Sequence, residues 1–188
     1  MWVNAAEVPR FYPNAVTLTP GEADRAGQLE TVDIIRKSNL PGRWAVKDSF
    51  NTLDLSRRGF DVLLEASWIR ATMPTGEATA DIEWRREAES STPLPFGDEN
   101  FALFTGRRGF AIVAGGMLYR SEGVVGITNV IAETADAVSV WRSLILLSAQ
   151  TFPRLPVVGY ESGAELSAAL DAGFELGDPL KVWVTARD

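Results

Sequence analysis

The chain has 188 residues, of which 46% are hydrophobic, 23% charged and 10% aromatic, as in a globular protein and unlike a disordered or collagen-like chain. The net charge of −7, from 18 basic and 25 acidic residues, argues against a surface that binds nucleic-acid phosphates. Cysteine and histidine are both absent, which excludes disulfides, thiolate nucleophiles, imidazole bases and metal sites built on those residues. Proton transfer would therefore depend on carboxylates, tyrosine, lysine, water or the substrate.

No segment of the sequence has the pattern expected of a targeting or membrane element. The first ten residues lack a basic segment followed by an apolar run, so we expect no signal peptide. Uncharged stretches such as 143–153 are far shorter than the roughly 20 residues that span a bilayer. We expect one domain over 1–188, no membrane contact and, by default, a cytoplasmic location.

The first half of the chain alternates clear and ambiguous segments. A short strand is predicted at 16–18, followed by a helix over about 20–38 that Thr19 would cap, with Glu22 completing a capping box. Asp48 or Ser49 could cap a short second helix. A strand is predicted over 59–69. Residues 75–100 are irregular and predict a loop or insertion, with a helical piece at 80–89 and a loop at 90–95.

The second half has a sharper pattern. The β-rich runs 110–119 and 124–132, joined by a turn ending in Gly123, predict an antiparallel hairpin. An apolar segment then predicts a buried helix over 134–151, which Phe152-Pro153 ends. A strand at 156–160, a helix from the capping box Ser162–Glu165 to a left-handed cap at Gly173, and a strand at 180–185 complete the chain. This order describes an α/β fold with a mixed sheet and helices on its faces.

The segment Glu161-Ser-Gly-Ala-Glu-Leu-Ser-Ala-Ala-Leu-Asp-Ala-Gly-Phe174 resembles the late motif of the GNAT superfamily of acyl-CoA-dependent N-acyltransferases. In that motif a strand leads into an Ala-containing helix, and a Gly-Phe pair opens the next strand. The resemblance covers about residues 14–185. It implies a mixed, mostly antiparallel sheet flanked by helices in one domain. It also implies acetyl-CoA or another acyl-CoA as donor, an amine of a small molecule or peptide as acceptor, and no metal.

The chain departs from the family pattern where the coenzyme phosphates are bound. The family has a loop Gln/Arg-x-x-Gly-x-Gly/Ala at a helix N-terminus, whose backbone N–H groups hold the diphosphate. The equivalent stretch, Glu133 to Trp141, contains no glycine and carries Glu133 and Asp136. Ser162 stands where the family has Asn, and Ala169 where it has the catalytic Tyr. Because like charges repel the phosphates, we expect acetyl-CoA to bind more weakly than about 100 µM.

Candidate site residues follow from the resemblance and from the residue types available. Glu161, Glu65 and Tyr119 are the candidate proton-transfer groups, because no histidine exists. Trp68 and Asn129 are candidates for a substrate pocket; each also has a structural interpretation, as core or as a satisfied polar group. The resemblance implies that the strands ending at Ala132 and Glu161 splay apart, which would leave backbone groups for a pantetheine chain. The candidate coenzyme-binding residues are Val130, Ile131, Ala132, Ser162 and Arg142.

Two functions of different classes remain open. One is a divergent acyltransferase that holds an amine against a thioester. The other is a non-catalytic GNAT-like module that binds a small molecule or a protein partner, because a fold does not by itself imply a function. The acidic surface favours a cationic amine as acceptor. The sequence leaves the oligomeric state open, and a homodimer is compatible with it.

Overall fold

The computed structural model describes residues 1–5, 8, 12–38, 42–72, 81–88, 98–133 and 135–186. These residues form a mixed α/β fold of three α-helices and ten strands. The helices are α1 (Glu22–Lys37), α2 (Ala137–Thr151) and α3 (Gly163–Asp171). The strands are β1 (Trp2–Val3), β2 (Ala15–Val16), β3 (Ala45–Asp48), β4 (Phe60–Ala71), β5 (Glu83–Glu87), β6 (Phe101–Arg108), β7 (Ala111–Ser121), β8 (Val124–Ala132), β9 (Val157–Glu161) and β10 (Glu175–Thr185). The strands pair mostly antiparallel, as expected; β2–β3 and β8–β9 are parallel.

The chain divides into two compact units, Met1–Ser67 with Asp178–Asp188, and Trp68–Gly177. Long strands β4 and β10 contribute residues to both units. In the first unit the strand order is β1-β2-β3-β10-β4, and in the second it is β4-β9-β8-β7-β6-β5. Among the residues that the structure describes, no helix is both long and apolar enough to cross a membrane.

The first unit buries a small core between α1 and its strands. Val32 and Ile35 of α1 pack with Val46 of β3 and Trp183 of β10. The predicted helix is confirmed, but its N-cap is Gly21, with no side-chain cap hydrogen bond, so the capping box at Thr19 was wrong. The buried Gln28 amide instead donates hydrogen bonds to the carbonyl and to the hydroxyl of Thr19, each at 3.1 Å.

Asp48 ends β3 and caps a turn, so the predicted second helix was wrong. Its fully buried carboxylate accepts a hydrogen bond from the Leu53 backbone N–H at 2.7 Å and one from Phe50 at 3.4 Å. Asp side chains commonly hydrogen-bond to the backbone a few residues on, which fixes a turn as readily as a helix start. The polar pattern after β3 therefore reflects this turn.

The second unit contains two strands that the sequence pattern missed. β5 lies where a helix over 80–89 was predicted, and β6 had no prediction. β5 pairs antiparallel with β6, Glu87 opposite Leu103, and the Thr105 hydroxyl donates to Glu87 at 2.5 Å. The charged sequence of β5 suits an edge strand, where charge prevents further pairing. The predicted loop at 90–95 lies outside the described residues.

The hairpin of β7 and β8 is confirmed, with its turn at Glu122 and Gly123. Both residues have positive φ, 47° and 77°, as a two-residue type I′ turn requires. α2 follows β8 and is buried along much of its length, as predicted, and it ends at Phe152. Its start is later than predicted, because Asp136 is its N-cap.

The end of α3 also follows the sequence prediction. The Phe174 backbone N–H donates to the Ala169 carbonyl, and Gly173 donates to Leu170 with a φ of 108°. These bonds form a Schellman motif, the left-handed cap that glycine favours. At the other end Ser162 is the N-cap but its side chain makes no cap hydrogen bond, so the predicted capping box there was wrong.

Candidate functional site

The parallel strands β8 and β9 are paired at one end only. Their register joins Val125 to Val157 and Gly126 to Val158. Among the described residues this register does not continue to the strand ends at Ala132 and Glu161. The two strands are therefore open at their carboxyl ends, as the resemblance implied, and backbone groups there are available to a ligand. Val130 and Ala132 are partly buried beside this opening, and Ile131 is 49% exposed.

A β-bulge at Asn129 accompanies the opening. On β7, Met117 lies opposite Thr128 of β8, and Gly115 lies opposite Ile131. Two residues of β8 therefore face one of β7, and Asn129 takes a φ of 53°. Asn adopts this left-handed conformation more readily than most residues. Its side-chain amide donates to the Met117 sulfur at 3.0 Å. The bulge and this contact account for an Asn at position 129, which was predicted to line a substrate pocket.

Glu161 lies at the carboxyl end of β9, directly before α3. Partial burial raises the pKa of its carboxyl to about 7, and the negative charge of Glu165 adds to that effect. The Ser162 backbone N–H donates to Glu161 and acts in the opposite direction. A carboxyl with a pKa near neutrality can both accept and release a proton at physiological pH, which a proton-transfer group needs.

Two helix residues that were not predicted to belong to the site act on this carboxyl. Glu165 of α3 acts directly through its charge, and Trp141 of α2 acts through its hydrogen bond to Glu165. The Trp141 indole of α2 donates to the Glu165 carboxylate of α3 at 3.4 Å. Its ring, 1% exposed, stacks edge-on against Phe174 with centroids 5.3 Å apart. Trp141 is buried, as predicted. The contact holds Glu165 on the first turn of α3, where its charge reaches Glu161.

The N-terminus of α2 is occupied by a side chain of the protein. The Asp136 carboxylate accepts hydrogen bonds from the Ser139 backbone N–H at 3.2 Å and from the Ser139 hydroxyl at 2.6 Å. The hydrogen bond from the Ser139 hydroxyl, and to a smaller extent the one from its backbone N–H, lowers the pKa of Asp136 below its usual value. Glu133 lies exposed before it. In the family that the late motif resembles, the coenzyme diphosphate is bound at this helix start, and a capped, anionic helix start does not fit that group.

Arg142 and Ser162, two further candidates for coenzyme binding, flank the two helices. Arg142 donates to the Asp171 carbonyl at the end of α3, 3.0 Å away, and thereby links α2 to α3. Ser162 is the N-cap of α3. The basic pairs at 57–58 and 107–108 are partly engaged in ion pairs, Arg58 with Asp33 at 3.1 Å and Arg108 with Asp81 at 2.6 Å.

Trp68 of β4 lies against β9 but not on the side of Glu161. Its ring packs edge-on against Tyr160, with centroids 5.6 Å apart. Side chains alternate along a strand, so Tyr160 and its partner lie on the sheet face opposite to that of Glu161. Tyr160 was missed; its position next to Glu161 in an otherwise aliphatic strand was the available signal.

The other two candidate proton-transfer groups are placed differently. Tyr119 of β7 is 45% exposed and lies opposite Gly126, which pairs with Val158. Strand alternation then puts Tyr119 on the face of Tyr160, not on that of Glu161. Glu65 belongs to the first unit, where its carboxylate pairs with the Lys181 ammonium at 3.1 Å. Within the described part of the chain, no group of three or more acidic side chains is arranged to hold a metal ion.

No protein-family model and no curated protein sequence matches the chain. Solved structures do match it. A conserved protein of unknown function from Staphylococcus epidermidis has a TM-score of 0.65 at 10% identity, with 87% of this chain and 81% of that one covered. A GCN5-related N-acetyltransferase from Kribbella flavida has a TM-score of 0.60 at 10% identity, covering 88% and 77%.

A third match is a GCN5-related N-acetyltransferase from Sphaerobacter thermophilus, with a TM-score of 0.56 at 13% identity over 87% of this chain and 69% of that one. Identities this low carry no residue-by-residue assignment of function. The structural matches do establish the architecture, a mixed α/β fold with a mostly antiparallel sheet. The chain has the fold of the GCN5-related N-acetyltransferases.

Proposed function

We propose that the protein transfers an acyl group from a thioester, the donor class that acyl-CoA represents, to an amine of a small molecule or peptide. The observation that carries the proposal is the open end of β8 and β9 with Glu161 on its rim. In the reaction the amine nitrogen attacks the thioester carbonyl carbon. The C–N bond forms, the C–S bond breaks and the thiol leaves.

Three features of the site support this chemistry. The open strand ends offer backbone groups that can align an extended donor, and alignment supplies much of the rate enhancement in such transfers. The bulge at Asn129 interrupts the register of β7 and β8, and a backbone N–H at such an interruption can polarise the thioester carbonyl. Glu161, with a pKa of about 7, can accept the proton that the amine loses.

The test is a thiol-release assay with acetyl thioesters and a panel of primary amines. The protein has no cysteine, so a thiol-reactive dye reports only the product. Glu161→Gln should lower kcat/KM by about 10²- to 10⁴-fold, as expected for loss of a general base. Glu175→Gln, an exposed Glu on β10, is the matched control and should retain activity. Absence of transfer to every amine, or equal activity of the two variants, would contradict the proposal.

The pH profile gives a second readout. Because the base form of Glu161 is needed, kcat/KM should rise as the pH passes through about 7, the pKa of that group. Glu161→Gln should lose this limb and keep only the titration of the amine. A wild-type profile without a transition near neutrality would remove Glu161 from the mechanism.

The second candidate is a non-catalytic module that kept this fold and binds a ligand in the same opening. One observation favours it: the Asp136 carboxylate occupies the helix start at which the family binds its coenzyme. Saturable binding of an amine or peptide by calorimetry, without any acyl transfer from the thioesters tested, would support the module over the enzyme.

A further inference from the structure

The start of α2 carries charge of the sign that repels phosphate. A helix N-terminus attracts anions through its free N–H groups and its dipole. Here the Ser139 N–H and hydroxyl both donate to Asp136, at 3.2 Å and 2.6 Å. The place of a bound anion is therefore taken by a carboxylate of the chain. An incoming phosphate would have to displace it and then lie beside it.

Arg142 of α2 only partly offsets that carboxylate, since its charge is the last and smallest of the causes that lower the pKa of Asp136. Glu133 is exposed three residues before Asp136 and adds a second negative charge. Arg142 is the one charged residue within α2, and its guanidinium donates to the Asp171 carbonyl of α3. The hydrogen bonds from Ser139 keep the pKa of Asp136 below its usual value, so the group remains ionised near neutral pH.

The open end of β8 has the opposite character. Val130, Ile131 and Ala132 carry no charge, and their strand is no longer paired with β9. A pantetheine arm is neutral, and its two amides can hydrogen-bond to the unpaired backbone of β8 as an added strand would. We infer that the donor is recognised through a neutral pantetheine-like arm and its acyl thioester, and that phosphate groups contribute nothing to its binding. This inference rests on the proposed function.

The test compares coenzyme A with pantetheine, which lacks all phosphates, by isothermal titration calorimetry on the intact protein. We expect pantetheine to bind as tightly as coenzyme A, within about threefold, because each tenfold in Kd needs about 1.4 kcal/mol that the phosphates do not supply. Coenzyme A binding tenfold or more tightly than pantetheine would overturn the inference.

A charge-neutral variant makes the cause specific. In the double variant Glu133→Gln with Asp136→Asn, Asn still caps the helix, so the fold is retained while both charges are removed. The affinity for coenzyme A should rise by about tenfold or more and that for pantetheine should stay unchanged. An unchanged affinity for coenzyme A would contradict the role assigned to the two carboxylates.

The thiol-release assay separates this inference from the proposed function. Equal kcat/KM with S-acetylpantetheine and acetyl-CoA supports both. Transfer from acetyl-CoA at a kcat/KM tenfold or more above that of S-acetylpantetheine keeps the function and overturns the inference. Failure of both thiols to bind and of both thioesters to react overturns the two together.

Discussion

Trp141 joins the two helices of the second unit through its burial and its contacts. Its ring is 1% exposed, lies edge-on to Phe174 and donates to Glu165. Trp141→Ala should lower the free energy of unfolding by about 3–5 kcal/mol, because it leaves a large cavity in the core. Urea denaturation measures the change. Trp2→Ala, at a position 48% exposed, is the control and should cost less than about 1 kcal/mol. A similarly small loss for Trp141→Ala would show that the ring is not a core residue.

Glu161 links the proposed chemistry to stability. Burial, with the charge of Glu165, raises the pKa of Glu161 from 4.5 in the unfolded chain to about 7 in the folded one. The folded state therefore holds this proton more tightly, and its advantage disappears as the pH rises through 7. Glu161→Gln should raise Tm at pH 8 relative to wild type and change it little at pH 5. Differential scanning fluorimetry at both pH values measures this, with Glu175→Gln as control. An equal Tm difference at the two pH values would show that Glu161 does not titrate as described.

At the scale of elements, the sequence predicted those whose pattern is set locally. The hairpin of β7 and β8, the helix α2 and the Schellman end of α3 were all confirmed, since turn residues and apolar periodicity determine them. β5 was not predicted, because a charged edge strand lacks the apolar alternation that identifies a strand. β6, which lies between β5 and β7, was also missed. The two predicted capping boxes were wrong, and in each a side chain has another partner. Gln28 donates to the hydroxyl of Thr19, and Trp141 donates to the carboxylate of Glu165.

The contact of β7 with α2 can be tested at Gly116. A Cβ atom there would lie 2.8 Å and 2.9 Å from the two methyl carbons of Leu144, a side chain that is fully buried. Gly116→Ala should therefore lower the free energy of unfolding by about 1–3 kcal/mol, the usual cost of overpacking a core. Chemical denaturation provides the measurement.

Gly126→Ala is the matched control, also in a strand of the same hairpin. Its Cβ would meet only the Tyr119 carbonyl oxygen, at an ordinary 3.6 Å. We expect this variant to be neutral or slightly stabilising, because Ala loses less backbone entropy than Gly on folding. Equal destabilisation by both substitutions would attribute the effect to the strand backbone rather than to the packing of Leu144.

At the scale of the molecule, the fold could be predicted from the order of elements, and the candidate site only in part. Glu161 and the opening between β8 and β9 followed from the resemblance to the family. The bulge at Asn129 did not, because strand register depends on partners that are distant in sequence. The cap formed by Asp136 has its partner, Ser139, only three residues away, but the predicted helix began at 134 and so placed Asp136 inside it. The loss of the phosphate loop was visible as missing glycines and added carboxylates. That the carboxylate of Asp136 caps α2 in the place of a bound anion is seen only in the structure.

The net charge of −7 makes the choice of acceptor testable through salt. A negative protein attracts a cationic amine over a distance set by the Debye length, which falls from about 30 Å at 0.01 M ionic strength to about 8 Å at 0.15 M. If the acceptor is cationic, kcat/KM for an alkyl diamine should fall by about three- to tenfold over this range. An arylamine that is neutral at the assay pH is the control and should be unaffected, since it experiences no net attraction. The thiol-release assay at matched pH gives both values. An equal loss for the two amines would assign the salt effect to the enzyme or the donor, and a rise for the diamine would contradict attraction altogether.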